Sequence, residues 1–209
     1  FAPYDPQLFR LATLGRRELA SLAGHVDLAL GDSTYNREEL VALGFAPTGV
    51  CPIFVDTARI TDAPPRPALE KVLGDGLSNF LFVGRMVPNK KVEDVIRVFH
   101  YYQRHFNPAS RLFLVGEYRG FERYVSALQG LVAALGTRDV IFSGHIPLAE
   151  LVSYAKLSHL YLHMSEHEGF CAPVVECFHL GIPVVAFDAG AVAETLNGGG
   201  MLVGEKDPL

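Results

Sequence analysis

The chain has little cysteine. Cys51, Cys171 and Cys177 are its three, an odd number with no framework spacing. That count argues against a disulfide-stapled secreted domain and for reduced thiols in a cytosolic setting. Basic charge is also scarce: 18 lysines and arginines stand against 23 acidic residues, a net charge of −5, so there is no electrostatic footprint for nucleic acid. No uninterrupted apolar run approaches the length of a membrane span, and no signal peptide is visible. Internal repeats and low-complexity tracts are missing too. No G-x-G-x-x-G follows the first strand candidate, which excludes the usual dinucleotide oxidoreductase, and Gly198-Gly199-Gly200 precedes an apolar segment as a turn would. H-E-x-x-H and paired C-x-x-C are likewise absent. His163, Glu166, His167, Cys171, Cys177 and His179 crowd together in sequence without ligand spacing. His163 at the end of a strand and His179 late in a helix read as packing or solvent-facing groups, and no metal is expected.

What remains is an ordinary globular mixture, 49% hydrophobic and 20% charged over 209 residues, enough for one full domain and part of another. A helical segment near Leu8 to Ala23 leads to a strand candidate, Val26–Leu30. Asp32-Ser33 then offers a cap for a helix over Asn36–Leu43, which ends at Gly44. The stretch T-D-A-P-P-R-P-A-L at 61–69 reads as a linker or exposed excursion. From Asn79 onward the rhythm is regular. Strands are predicted at Phe80–Val83, Leu112–Val115, Val140–Phe142, His159–Leu162 and Pro183–Phe187. Helices follow them near Val92–Phe106, Phe121–Leu135, Pro147–Lys156, Pro173–Leu180 and Ala191–Leu196. This repeated strand–helix order predicts an α/β fold, a parallel sheet with helices on both faces. The chain opens on F-A-P-Y-D-P and stops at K-D-P-L. Both ends read as cut, and a fragment is expected.

The strand exits carry the polar groups: Gly84-Arg85, Gly116-Glu117, Gly144-His145, Ser165 to Cys171, and Asp188-Ala189-Gly190. In a parallel sheet these loops emerge on one edge, where open α/β folds bind ligands. The most informative of them reads S-E-H-E-G-F-C-A-P-V-V-E, with Glu168 and Glu176 eight positions apart around a glycine turn and a helix started by Pro173. The amides of Cys171, Ala172, Val174 and Val175 fall in the first turn of that helix, where an anion is favoured. The segment therefore offers a phosphate cradle with a carboxylate on either side to accept from hydroxyls. Arg85 and Lys90 lie five positions apart in another of these loops. Arg can fork onto phosphate oxygens while Lys supplies a mobile point charge, a pair suited to a diphosphate.

Four segments, in order, resemble the C-terminal domain of retaining glycosyltransferases of the GT-B fold, specifically glycosyltransferase family 4. They are F-L-F-V-G-R-M-V-P-N-K-K, R-L-F-L-V-G-E, V-I-F-S-G-H-I-P, and the long run from S-E-H-E-G-F-C-A-P-V-V-E to F-D-A-G-A-V-A-E. The resemblance covers roughly residues 48–204 and implies a Rossmann-like doubly wound sheet that binds a nucleotide-sugar donor. Upstream, V-D-L-A-L-G-D-S-T-Y-N-R-E-E-L is similar to the last strand and helix of the acceptor-side domain, and V-C-P-I-F-V-D-T-A-R to the hinge. The implied division is 1–47 for the acceptor-side remnant, 48–78 for hinge and linker, and 79–209 for a donor-binding domain truncated at its C-terminus.

By position, the resemblance gives Arg85 and Lys90 the donor diphosphate and the charge developing on it. Glu168 would face the transferred sugar, and Glu176 would bind the ribose hydroxyls. Gly84 and the amides of Gly169, Phe170, Cys171 and Ala172 would approach the donor, and the backbone at His145 and Ile146 would line the base pocket. Glu117 would sit close to the nucleotide. Cys171 and Lys91 stand where relatives often have glycine. The chain also lacks D-x-D, the usual device for metal-held nucleotide-sugars, and no metal or other cofactor is implied. The partners implied are a nucleotide-sugar and an acceptor that is a glycan, a lipid-linked precursor or a small molecule, with no nucleic acid. Peripheral membrane contact, on the cytoplasmic face, would come through the missing domain, and a cytoplasmic location is expected from the free thiols and the lack of an export signal. A sugar-nucleotide epimerase, or a non-catalytic module that holds nucleotide-sugar, would share this donor site. The fragment is expected to bind donor but not to turn over.

Overall fold

A computed structural model of the chain describes residues 6–206; the ends that read as cut, 1–5 and 207–209, lie outside them. Six parallel strands form the main sheet: β3 (Ser78–Val83), β4 (Ser110–Val115), β5 (Val140–Gly144), β6 (Leu160–His163), β7 (Val184–Phe187) and β8 (Met201–Val203). Their spatial order is β5-β4-β3-β6-β7-β8. The chain thus runs outward from β3 to one edge, returns to pair β6 with β3, and runs outward to the other. The order reverses between β3 and β6, and in open α/β sheets ligands bind at that crevice, beyond the carboxyl ends of the strands.

The strands explain why helices cover both faces. In β3, alternate residues point to opposite faces. Phe80 and Phe82 join a core with Leu112, Leu114 and Leu162. Leu81 joins another with Phe113, Tyr161 and Ala186. Strands buried on both faces read as continuous apolar runs, as S-N-F-L-F-V and S-R-L-F-L-V nearly do. On the first face lie α5 (Val92–His105) and α6 (Glu122–Leu135). In α5, Val92, Val95, Ile96 and Phe99 recur at helical spacing and are fully buried. On the second face lie α4 (Pro67–Leu73), α7 (Leu148–Lys156), α8 (Ala172–His179) and α9 (Val192–Leu196).

A smaller parallel sheet joins β1 (Ala29–Gly31) to β2 (Thr48–Val50). It follows α1 (Pro6–Ser21) and flanks α2 (Thr34–Ala42), whose N-cap is Ser33, accepting from the Asn36 amide at 3.1 Å. The strand predicted at Val26–Leu30 is thus three residues, shifted toward Gly31. The expected linker at 61–69 is more ordered than its prolines suggested. It holds the end of α3 (Ala58–Asp62) and the start of α4, with Pro67 in the first turn of α4, where a missing amide hydrogen costs nothing. Gly198–Gly200 forms the turn into β8, which periodicity did not single out.

Candidate functional site

The loops after β3 and β6, on either side of the reversal, meet at a cavity of about 330 Å³ lined by Gly84, Arg85, Lys90, His163, Cys171 and Pro173 among others. Two close backbone approaches shape its mouth. At Gly116, φ is +151°, and a Cβ there would stand 1.8 Å from the Gly84 carbonyl oxygen. At Gly190, φ is +61°, and a Cβ would stand 2.4 Å from the Glu168 carbonyl oxygen, which also accepts from the Ala191 amide at 2.9 Å. Both loops are therefore held by neighbouring strand exits that only glycine permits.

Lys90 ends a short 3-10 turn, Pro88–Lys90, and reaches Glu168 across the cavity at 2.5 Å. Glu168 is 7% exposed, and its other partner is His163, whose Nε2 lies 3.1 Å from the same oxygen. Burial alone raises the Glu168 carboxyl, but the hydrogen bond from His163 and the charge of Lys90 outweigh it and hold the group at about 2. Glu168 is a carboxylate at neutral pH. Breaking a buried pair by deleting one partner leaves an uncompensated charge. Lys90→Ala is therefore expected to lower stability by about 3 kcal/mol in urea unfolding. An unchanged midpoint would show that the pair does not hold this loop.

Arg85 differs. It is exposed at the mouth of the same cavity and, among the described residues, its guanidinium has no ion pair or hydrogen bond. Cys171 caps α8 in the left-handed region, at φ 69° and ψ 63°, without a side-chain cap bond. Burial, with the Glu168 charge, pushes its thiol up to about 12, so it stays neutral. Ala172 is the first helical residue and Pro173 the second. The amides of Gly169, Phe170, Cys171 and Ala172 are bonded to no other described residue. Val174 corrects the expected cradle: its amide already donates to the Cys171 carbonyl at 3.1 Å.

Other expected residues sit farther off or turn elsewhere. The Glu117 carboxylate folds back on its own loop, accepting from the Tyr118 and Arg119 amides at 3.0 Å each. The Arg119 amide above all, against the opposing effect of burial, holds it below the usual carboxylate range. His145 is exposed and Ile146 packs on the second core beside α7. Glu176 faces a narrow apolar cleft with Ile60, Leu148 and Pro173, and Arg59 from α3 pairs with it at 2.8 Å. Gly169 has a steric role beside any ligand: a Cβ there would lie 2.7 Å from Asn36 Nδ2 and 3.2 Å from Asp32 Oδ2 of the α2 segment. That segment is also tied on by the Thr34 amide, which donates to Glu194 at 2.9 and 3.0 Å.

Arg59, His163 and the α2 contacts escaped sequence reasoning. Arg59 lay in a presumed hinge, and His163 looked like packing. Its one signal is polarity at the end of an otherwise apolar strand. Lys91 and Cys171, the two positions where the resemblance expects glycine, both have left-handed backbones, with φ 49° and 69°. Side chains there cost on the order of 1 kcal/mol each, which accounts for the glycine preference.

The chain belongs to the family described as Glycosyl transferases group 1, whose pattern matches residues 70–208. It is 31% identical over 194 residues to the GDP-mannose-dependent alpha-mannosyltransferase of Mycobacterium tuberculosis (strain CDC 1551 / Oshkosh), covering 92% of this chain and 46% of that protein. It is 26% identical to the O-antigen chain mannosyltransferase B of Escherichia coli, covering 86% and 48%. The chain thus spans about half the length of the curated relatives it matches. Among solved structures, Anabaena Alr3699/HepE in complex with UDP-glucose superposes with a TM-score of 0.77 at 23% identity, over 96% of this chain and 56% of that one. Sucrose-phosphate synthase from Thermosynechococcus elongatus gives 0.75 at 21% identity, over 90% and 48%. These structural likenesses establish the GT-B, Rossmann-like architecture.

Proposed function

We propose that the chain is the donor-binding half of a retaining family 4 glycosyltransferase, and that its donor is a nucleoside-diphosphate hexose. The observation that carries this reading is that Arg85, Lys90 and Cys171 line one cavity at the sheet's reversal, with Lys90 paired to Glu168 and the Cys171 amide unbonded among the described residues. A diphosphate seated there meets one unpaired guanidinium and one ammonium, while Glu168 accepts from hydroxyls of the sugar. Glu176 reads the ribose, which requires Arg59 to yield or share it. GDP-mannose is the first donor to test, because two of the matched relatives are named GDP-mannose-dependent.

In the reaction the acceptor hydroxyl attacks the anomeric carbon from the face that the diphosphate leaves. A carbon–oxygen bond forms as the carbon–phosphate oxygen bond breaks, and the departing phosphate takes the acceptor proton. Arg85 and Lys90 stabilise the charge that accumulates on the phosphate, the part metal ions play at D-x-D sites. The unpaired thiols accord with a cytoplasmic setting. No helix among the described residues is long and apolar enough to cross a membrane.

Calorimetric titration with GDP, UDP and ADP tests the donor site. Binding of one diphosphate is expected, and folded protein that binds none would remove the site. Glu176→Gln is expected to weaken nucleotide binding and leave free sugar binding unchanged. Equal losses for both would contradict the ribose role.

A further inference from the structure

The geometry points to a second ligand for this cavity: a thiophilic divalent metal of the zinc type, held by His163 Nε2, the Glu168 carboxylate and Cys171 Sγ. The three donor atoms lie within 4.8 Å of one another, and all three residues are buried. Around tetrahedral zinc, neighbouring ligand atoms stand about 3.3–3.6 Å apart, from bond lengths of about 2.0–2.3 Å. Here Nε2 is 3.5 Å from Sγ and 3.1 Å from Glu168 Oε1. Glu166, His167, Cys177 and His179, which crowd the same sequence, are not part of the cluster.

The hydrogen bonds behind His163 carry the argument further. Tyr161 stacks on the His163 ring at 18°, and its hydroxyl lies 3.3 Å from both the Val83 carbonyl oxygen and His163 Nδ1. A hydroxyl has one hydrogen. In the ligand-free protein Nε2–H donates to Glu168; when a metal takes the place of that proton, the Tyr161 hydrogen goes to Val83, the Tyr161 oxygen accepts from Nδ1–H, and the Nε2 lone pair is left for the metal. That is the arrangement around metal-bound histidine, whose outer nitrogen donates to a fixed acceptor.

Cys171, whose backbone is left-handed, and His163 both line the cavity, so a metal held here would have solvent beside it to supply a fourth ligand. A thiolate and a carboxylate balance the dication, and Lys90 is the cation that competes for Glu168. On the donor reading above, metal and nucleotide-sugar need the same carboxylate, so the metal excludes the donor.

Cobalt(II) titration of the chain, followed by zinc displacement, tests the site. One equivalent with a thiolate-to-cobalt charge-transfer band is expected. Cys171→Gly suits the left-handed backbone, so its fold, checked by circular dichroism, should persist; it is expected to lose the band and weaken zinc by about tenfold or more. His163→Gln should do the same, and Cys51→Ser should keep the band. Absence of a thiolate band, or a band that survives Cys171→Gly and vanishes in Cys51→Ser, overturns the site. If the protein binds GDP-mannose equally well with and without zinc, the exclusion is overturned. Failure to bind any nucleoside diphosphate sinks the donor reading and leaves the metal site standing.

Discussion

Replacing Arg85 with alanine is expected to cut turnover by about 10²–10³-fold, assayed with the acceptor-side half present, and to leave the unfolding midpoint unchanged. The two halves of this prediction come from one observation. Arg85 lines the cavity yet is exposed and, among the described residues, its guanidinium has no hydrogen-bond or ion-pair partner. Removing the guanidinium breaks no hydrogen bond or ion pair among the described residues. What is lost is a preorganised donor to the charge that grows on the leaving diphosphate, an interaction stronger in the transition state than in the ground state. Lys90 is its contrast, because it neutralises a buried carboxylate whether or not a donor is present. The two variants together separate a catalytic cation from one that also supports the loop. Unchanged turnover in Arg85→Ala would take Arg85 out of the mechanism.

Gly116→Ala is expected to be the most damaging single methyl in the chain, destabilising it by about 3–5 kcal/mol. The new Cβ would lie 1.8 Å from the Gly84 oxygen, a backbone atom that no rotamer change can move. The backbone at Gly116 is also in a region that side chains rarely adopt, so strain adds to overlap. The Gly84 amide donates to Val115 at 3.0 Å, and the Gly116 amide donates to Gly144 at 3.1 Å. Relief by backbone shift would therefore disturb three strand exits at once. Urea unfolding measures the loss, and diphosphate titration of the surviving folded fraction should show weakened binding. Gly120→Ala is the control, since a Cβ there meets nothing within 4 Å although its φ is also positive. Equal destabilisation of both variants would mean that dihedral strain, and not the Gly84 contact, sets the cost.

The site divides by the range of the interactions that make it. Glu168, Glu176 and the α8 turn are encoded within twelve consecutive residues, so they were legible as a segment. Arg85 and Lys90 were legible as a pair of cations after a strand, because parallel βα units deliver strand exits to one edge. The sequence also announced helices on both faces, since strand and helix candidates alternate five times from Asn79 onward.

Contacts between distant segments left no such trace. Arg59 meets Glu176 across 117 positions, and the Thr34 amide meets Glu194 across 160, with no periodicity or motif relating either pair. The prolines at 64, 65 and 67 read as linker because proline disfavours helix interiors, but Pro67 enters the first turn of α4, where that penalty vanishes. The Val174 amide was counted as free, and the tight turn at Cys171 claimed it.

Side-chain alternation, helix signals and a short acidic motif were enough to establish the βα order and the chemical types at the sheet edge, because each depends on residues a few positions apart. Which of those groups meet was set by the reversal between β3 and β6, which brings Lys90 to Glu168 across 78 positions and His163 beneath them. Chain order carries no record of such pairings; they arise when packing on two faces settles which strands become neighbours.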